Sequence, residues 1–289
     1  MANLRHQGVN AVADKPNFQS NIWLDEAQPD DPFTAQASYC HGFDVFGQLI
    51  QKASYTDYIL LMFSGEKPSL QHSKLFEVLA IALANLGPRD ASNRAAMNAG
   101  VGGAPAASCL ISSLAIGAGQ TGGCRETYVL THWFEQLGTN NQLWMAQLKD
   151  PNSQRLREDI WDEFKHAPGF EPHGVSFPKT LIQLLEALDS CGDFPVIKWL
   201  ITSRVEFEQQ MALPMGLTFI SAAVFYALGF NADKAELCAL LLSLPGAAVH
   251  SLEAKNQGWK KFPFFGKSIE LTDDPGPITP LPSVEEPSK

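Results

Sequence analysis

The chain has 289 residues, enough for one large core or two smaller ones, and its formal net charge of -10 comes without the clustered Lys and Arg that nucleic-acid phosphates require, which argues against a nucleic-acid partner. Five widely spaced cysteines, Cys40, Cys109, Cys124, Cys191 and Cys238, form no CxxC or Cys/His pattern, so no metal site is expected; they read as buried thiols of a reducing compartment. MANLRHQGVNAVADK at the start has no apolar core of signal-peptide type, and the expected location is the cytoplasm.

Residues 1–32 are polar and interrupted by Pro16, Pro29 and Pro32, which reads as an N-terminal arm lying on a partner subunit. From Tyr39 two apolar patches recur at helical spacing, Phe43 to Ile50 and Tyr58 to Phe63, with a helix start at Thr56–Asp57 and a stop at Gly65 and Pro68. Ser69 to Leu86 is a further amphipathic helix. No stretch alternates long enough to build a sheet, and the fold class is all-α.

Between Arg94 and Arg125 there is no charged side chain, and most residues are Ala, Gly or Ser. Three readings compete for this run. A membrane span needs ~20 mainly apolar residues, but Pro105, the glycines and the serines weaken it, and no membrane association is expected. A buried helix pair whose small residues allow close crossing is the plainest reading. The third is chemical: the run ends in Thr121-Gly122-Gly123-Cys124, and a glycine pair at a helix start leaves backbone N–H groups free for an anion or oxyanion.

Thr127 to Leu148 is helical and aromatic, with His132 and Trp133 read as core or interface, and Asn152 to Phe164 is charged and amphipathic. Pro168-Gly169-Phe170-Glu171-Pro172-His173-Gly174 is a loop. Helices are expected at Pro178–Asp189, Phe194–Leu213, Leu217–Leu228 (apolar all round, hence buried), Asp233–Leu244 and Gly246–Lys255. From Asp273 five prolines mark a tail, residues 273–289.

Five segments in order, GFDVFGQLIQKASYTDYILLMFSGEKPS, ALANLGPRDASNRAAMNAGVGGAPAASCLISSLAIGAGQTGG, APGFEPHGVSFPKT, LPMGLTFISAAVFYALGF and LLSLPGAAVHSLEAK, resemble the citrate synthase superfamily in sequence and spacing, nearest its short citryl-CoA lyase branch. The resemblance implies an all-α homodimer, with a large domain (33–123 and 214–272) interrupted by a smaller one (124–213). It also implies carbon–carbon chemistry between an acyl-CoA methyl and a keto acid, using a carboxylate base, two histidines and carboxylate-binding arginines.

The matching positions depart from that pattern. The family's His-Gly-Gly reads Thr121-Gly122-Gly123, and its Asn-Val-Asp reads Gly216-Leu217-Thr218, so one imidazole and the base are replaced by hydroxyls. Gly-Phe-Gly-His reads Gly169-Phe170-Glu171-Pro172-His173, with the histidine displaced. Asp-Pro-Arg reads Phe177-Pro178-Lys179, with Lys179 retaining one charge on the CoA side. A family histidine reads Leu86, and a carboxylate-gripping arginine reads Ser243.

His173, Thr218 and Thr121 are therefore the candidate catalytic positions, against readings of His173 as a surface-loop histidine and of the threonines as pocket lining. Gly122, Gly123, Glu171 and Ser243 are the candidate substrate-binding positions, with Glu171 as a stand-in carboxylate or a solvated loop residue. His250 reads as structural. Losing one positioned acid or base costs ~10²–10⁴ in rate, so the standard reaction is expected to be nearly abolished. Two functions follow: a non-catalytic dimer, homodimeric or paired with an active relative, that binds an acyl-CoA or acid; or an acyl-CoA lyase or synthase with altered substrate and altered catalytic residues.

Overall fold

A computed structural model describes residues 20–153 and 161–262. Part of the charged Asn152–Phe164 segment, the first nineteen residues of the arm and the proline-rich tail lie outside those residues.

Among the described residues the sheet lies at the start. Strands β1 (Trp23–Gln28), β2 (Asp31–Cys40) and β3 (Phe43–Asp44) form an antiparallel meander with Trp23 opposite Cys40 and Tyr39 opposite Asp44. This corrects the expectation of no sheet. All six β1 residues are exposed, so no buried face imposes the two-residue alternation that would have betrayed a strand. The hairpin is held instead by its backbone ladder and by side chains across it, Ser38 Oγ donating to Asp25 at 2.6 Å and Tyr39 Oη to Glu26 at 3.1 Å.

A π-helical turn (Val45–Leu49) and the short α1 (Ile50–Lys52) lead into α2 (Tyr55–Ser64). Ser54 and Asp57 cap α2 reciprocally, and Gly65 ends it in the left-handed conformation, φ 80°. Then follow α3 (Leu70–Ala84), α4 (Ala91–Val101), α5 (Ala106–Gly117), α6 (Cys124–Leu137) and α7 (Asn141–Lys149). The last four are α8 (Lys179–Asp189), α9 (Pro195–Met211), α10 (Leu217–Ala227) and α11 (Ala232–Gln257). Thr127–Leu148 is thus two helices, broken at Gly138–Asn140. The two helices expected from Asp233 to Lys255 are one, α11, which runs through Pro245 because its packing on α3, α4, α5 and α6 outweighs the lost backbone bond.

The apolar α10 is the centre of the core, with Phe219 to Phe225 inaccessible to solvent. Around it Phe134, Trp144, Trp199 and Phe207 pack as an aromatic cluster, with Phe134 and Trp144 ring centres 4.6 Å apart and Trp144 and Phe219 5.1 Å apart. Trp144 Nε1 donates to the Gly138 carbonyl at 2.8 Å, so its one polar atom is satisfied inside the core.

The small-residue run divides at Gly102–Pro105 into α4 and α5. At 11 and 12 residues each is too short to cross a bilayer, which takes ~20. α11 does have the length and apolarity for a span, and its buried side packs on α4 and α5. The crossing of α4 over α11 depends on Gly100, where an added Cβ would strike the Ser251 carbonyl. α5 is less central than the run suggests: it buries Cys109 and Ser113 but leaves Ile111 and Ile116 exposed.

Gly100→Ala forces those two helices apart, and overpacking of this kind costs about 1–3 kcal/mol. The expected outcome is a lower midpoint of urea unfolding with an unchanged slope.

Candidate functional site

Two backbone segments set the floor of a cleft. Residues 169–171 run antiparallel to 214–216, with Glu171 N donating to the Pro214 carbonyl at 2.9 Å and Gly216 N to the Gly169 carbonyl at 2.8 Å. This pairing carries the Glu171 side chain onto the N-terminus of α10: a Cβ on Gly216 would lie 2.7 Å from Glu171 Oε1. Gly216, the N-cap of α10, has no side chain with which to cap the helix, so its first turn opens toward the cleft.

The opposite wall is the turn before α6. Gly122 adopts φ 69°, and a Cβ on Gly123 would collide with the Gly119 carbonyl, so both glycines are required by this backbone. Glu126, in the first turn of α6 and 3% exposed, reaches back over the turn. Its Oε1 accepts from Gly122 N at 2.7 Å and its Oε2 from Gly169 N at 2.8 Å. One buried carboxylate therefore fastens the glycine turn to the Glu171 loop. Burial pushes its pKa above the ordinary 4.5, against the two N–H donors that favour its charged form, and the nearby Glu171 charge pushes the same way as burial. Behind it Arg125 pairs with Glu236 of α11 at 3.4 Å and lies over the Tyr128 ring, 3.8 Å from its centre.

The cleft so formed has a volume of about 370 Å³. It gathers Gly122, Gly123, Glu171, Thr218 and Ser243 from four separate parts of the sequence, together with Leu86. Three candidates do not line it. Thr121 is exposed just before the turn, His173 is exposed further along its loop, and Lys179 is exposed as the first residue of α8. His250 bonds Asn85 Oδ1 at 2.9 Å, and Trp133 is buried in the core while His132 stacks with Tyr128 outside it. The Ser243 hydroxyl donates to its own helix at Leu240 O, 2.9 Å away.

Several cleft residues were not singled out from the sequence. Arg89 is the one cation among the described residues lining the cleft. Beside it Asp90 caps α4, accepting from Asn93 N at 2.9 Å and from the Ser92 hydroxyl. Cys124 also faces the cleft, but burial first, then the Glu236 and Asp90 charges, push its thiol up to about 12, so it stays protonated and is no nucleophile at neutral pH. The N-termini of α4, α6 and α10 all border this space, and α6 and α10 have no side-chain cap. Their dipoles and free N–H groups favour an anion or a developing oxyanion. Glu126 stands at the third residue of its helix but behind a glycine N-cap, so the Ser/Thr-x-x-Glu pattern of a capping box is absent and no local signal marks it.

No model of a known protein family matches the chain, and no curated protein sequence matches it. Solved structures do. A citryl-CoA lyase from Hydrogenobacter thermophilus superposes with a TM-score of 0.66 at 17% identity, over 91% of this chain and 98% of that one. An ATP citrate lyase from Methanothrix soehngenii, in complex with citrate and coenzyme A, gives 0.68 at 14% identity, over 91% of this chain but 43% of its own. An ATP citrate lyase from Methanosaeta concilii, in complex with (3S)-citryl-CoA, gives 0.67 at 15% identity with the same coverages. The chain thus spans less than half the length of the two ATP citrate lyases. At these identities the likeness establishes the fold: a helical, citrate synthase-like one.

Removing the carboxylate in Glu126→Ala leaves the buried Gly169 N–H without an acceptor, a loss of about 1–3 kcal/mol. Hydrogen exchange is expected to quicken at Gly122 and Gly169 while amides of α10 stay protected. Because the folded-state pKa of Glu126 is raised, its stabilising contribution is complete below the ordinary value of 4.5 and declines as pH rises through the folded value. Glu126→Gln is expected to remove that part of the pH dependence of the urea midpoint.

Proposed function

We propose that this citrate synthase-like chain binds a CoA thioester in the cleft between Gly122–Gly123 and Glu171, and that it does not run the standard condensation or cleavage of citrate. The observation that carries this reading is the composition of the cleft: three helix N-termini and Arg89 favour a single anion or a polarised thioester carbonyl, yet no histidine lines it among the described residues. Leu86 and Ser243 stand where the sequence resemblance implies a histidine and an arginine. A tricarboxylate with only Arg89 to balance it, and with Asp90 and Glu171 nearby, would bury unpaired charge. An acyl group carrying at most one carboxylate fits the charge present. The solved relative that holds citrate and coenzyme A supports the ligand class. Lys179, outside the cleft at the start of α8, is available to the CoA phosphates.

One observation favours the alternative of an active lyase or synthase. The Glu171 carboxylate lies beside Thr218 at the mouth of α10 and is the one cleft carboxylate not used as a helix cap. It would serve as the base for an uncharged carbon acid.

The functional unit is proposed to be a dimer, a homodimer or a pair with an active relative, formed on the face of α5 and α11. Ile111, Ile116, Leu237, Leu241 and Leu252 on these two helices are each at least half exposed, and exposed large apolar side chains of this kind are what an interface would cover. The five free cysteines accord with a cytoplasmic location.

Titration calorimetry with coenzyme A, acetyl-CoA and longer acyl-CoA thioesters is expected to give micromolar binding, weakened about tenfold by Arg89→Ala. Absence of binding across the series by a folded protein refutes the thioester reading. Leu241→Glu is expected to shift sedimentation from dimer to monomer without lowering thioester affinity in the cleft.

A further inference from the structure

A second and larger cavity, about 610 Å³, lies at the other end of the chain's topology, between β3, the π-helical turn, α1, α2 and the start of α3. It shares no residue with the cleft. Its volume is that of a small-molecule site, and its walls are apolar: Phe43, Leu49, Tyr58, Leu61, Pro68 and Leu70. The wall at Leu49 is built by the π-helical turn, a wide turn that is rare and recurrent at binding sites. That turn depends on Gly47, whose N–H bonds the Asp44 carboxylate at 2.9 Å and where any Cβ would collide with it.

The charges around this groove are not balanced internally. Lys52 and Lys67 both line it, and neither is in an ion pair among the described residues. The remaining charge, Asp57, is already engaged, accepting from Ser54 N at 3.1 Å and from Ser73. Leu70, at 82% exposed, leaves apolar surface open at the groove. Two free ammonium groups and one satisfied carboxylate leave a single positive charge beside an apolar trough.

We propose that this groove binds an aliphatic monocarboxylate, its chain along Leu49, Leu61 and Leu70 and its head group held by Lys52 and Lys67. Charge complementarity selects this occupant over a neutral or cationic amphiphile, and over a dianionic head group, which Asp57 would repel.

The test is calorimetric titration of the full chain with decanoate, 1-decanol and decyltrimethylammonium, each below its micelle concentration. Decanoate is expected to bind one to one and more tightly than either of the others. The double variant Lys52→Glu/Lys67→Glu, and separately Leu70→Asp at an exposed helix start, are each expected to weaken it about tenfold, while Arg89→Ala in the other cleft leaves it unchanged. Equal binding of all three probes, no decanoate binding, or affinity that falls only with Arg89→Ala would overturn the proposal. So would self-association abolished by Leu70→Asp in a chain that ignores decanoate, since the groove would then seat a second copy.

Discussion

The buried carboxylate of Glu126 is the contact on which the cleft depends. The glycine turn has no side chain of its own to hold it, since Gly122 and Gly123 carry none, whereas the Glu171 loop is already tied on its other side by the pairing of residues 169–171 with 214–216. A two-sided acceptor at the start of α6 gives both a common anchor, through the backbone N–H groups of Gly122 and Gly169. The arrangement is costly, since burial disfavours the ionised form that makes both bonds, and the two N–H donors offset that cost only in part. Such a contact is retained where geometry matters more than stability.

Once the two loops are fixed, the rest of the cleft is a consequence of helix packing. α10 is held by the aromatic cluster around Trp144 and presents its uncapped N-terminus to the cleft. α11 crosses α4 at Gly100 and brings Ser243 over the same space. Three helix N-termini then face a cavity with one arginine, an arrangement that attracts negative charge weakly and without a dedicated proton donor. The hydroxyls of Thr218 and Ser243 and the side chain of Leu86 shape this space but do not titrate.

Most of the helical frame was legible in the sequence because its helices have one apolar face and marked ends, as α2 does at Gly65 or α9 at Pro195, although the start of α2 read at Thr56–Asp57 lies at its cap Ser54. The hairpin was not, because β1 buries nothing and leaves no alternation to read. α11 was divided in two because Pro245 is a breaker locally, and only its packing on five other helices tells otherwise. The glycine turn, Glu171, Thr218 and Ser243 were found through resemblance and do meet in one cleft, whereas His173 and Lys179 stand outside it. Arg89 and Glu126 went unread for a physical reason: one is a lone cation before a helix cap, the other a glutamate in a helix first turn, and each looks like ordinary surface until the partners across the fold are known.

The cleft is proposed to hold a CoA thioester without removing its carbon-bound proton. The most direct test incubates acetyl-CoA with the protein in deuterated water and follows the thioester methyl group by mass spectrometry. Deuterium incorporation is expected to be no faster than in buffer alone. Incorporation that the protein accelerates, and that Glu171→Gln abolishes, would contradict it and make Glu171 the base of an active enzyme.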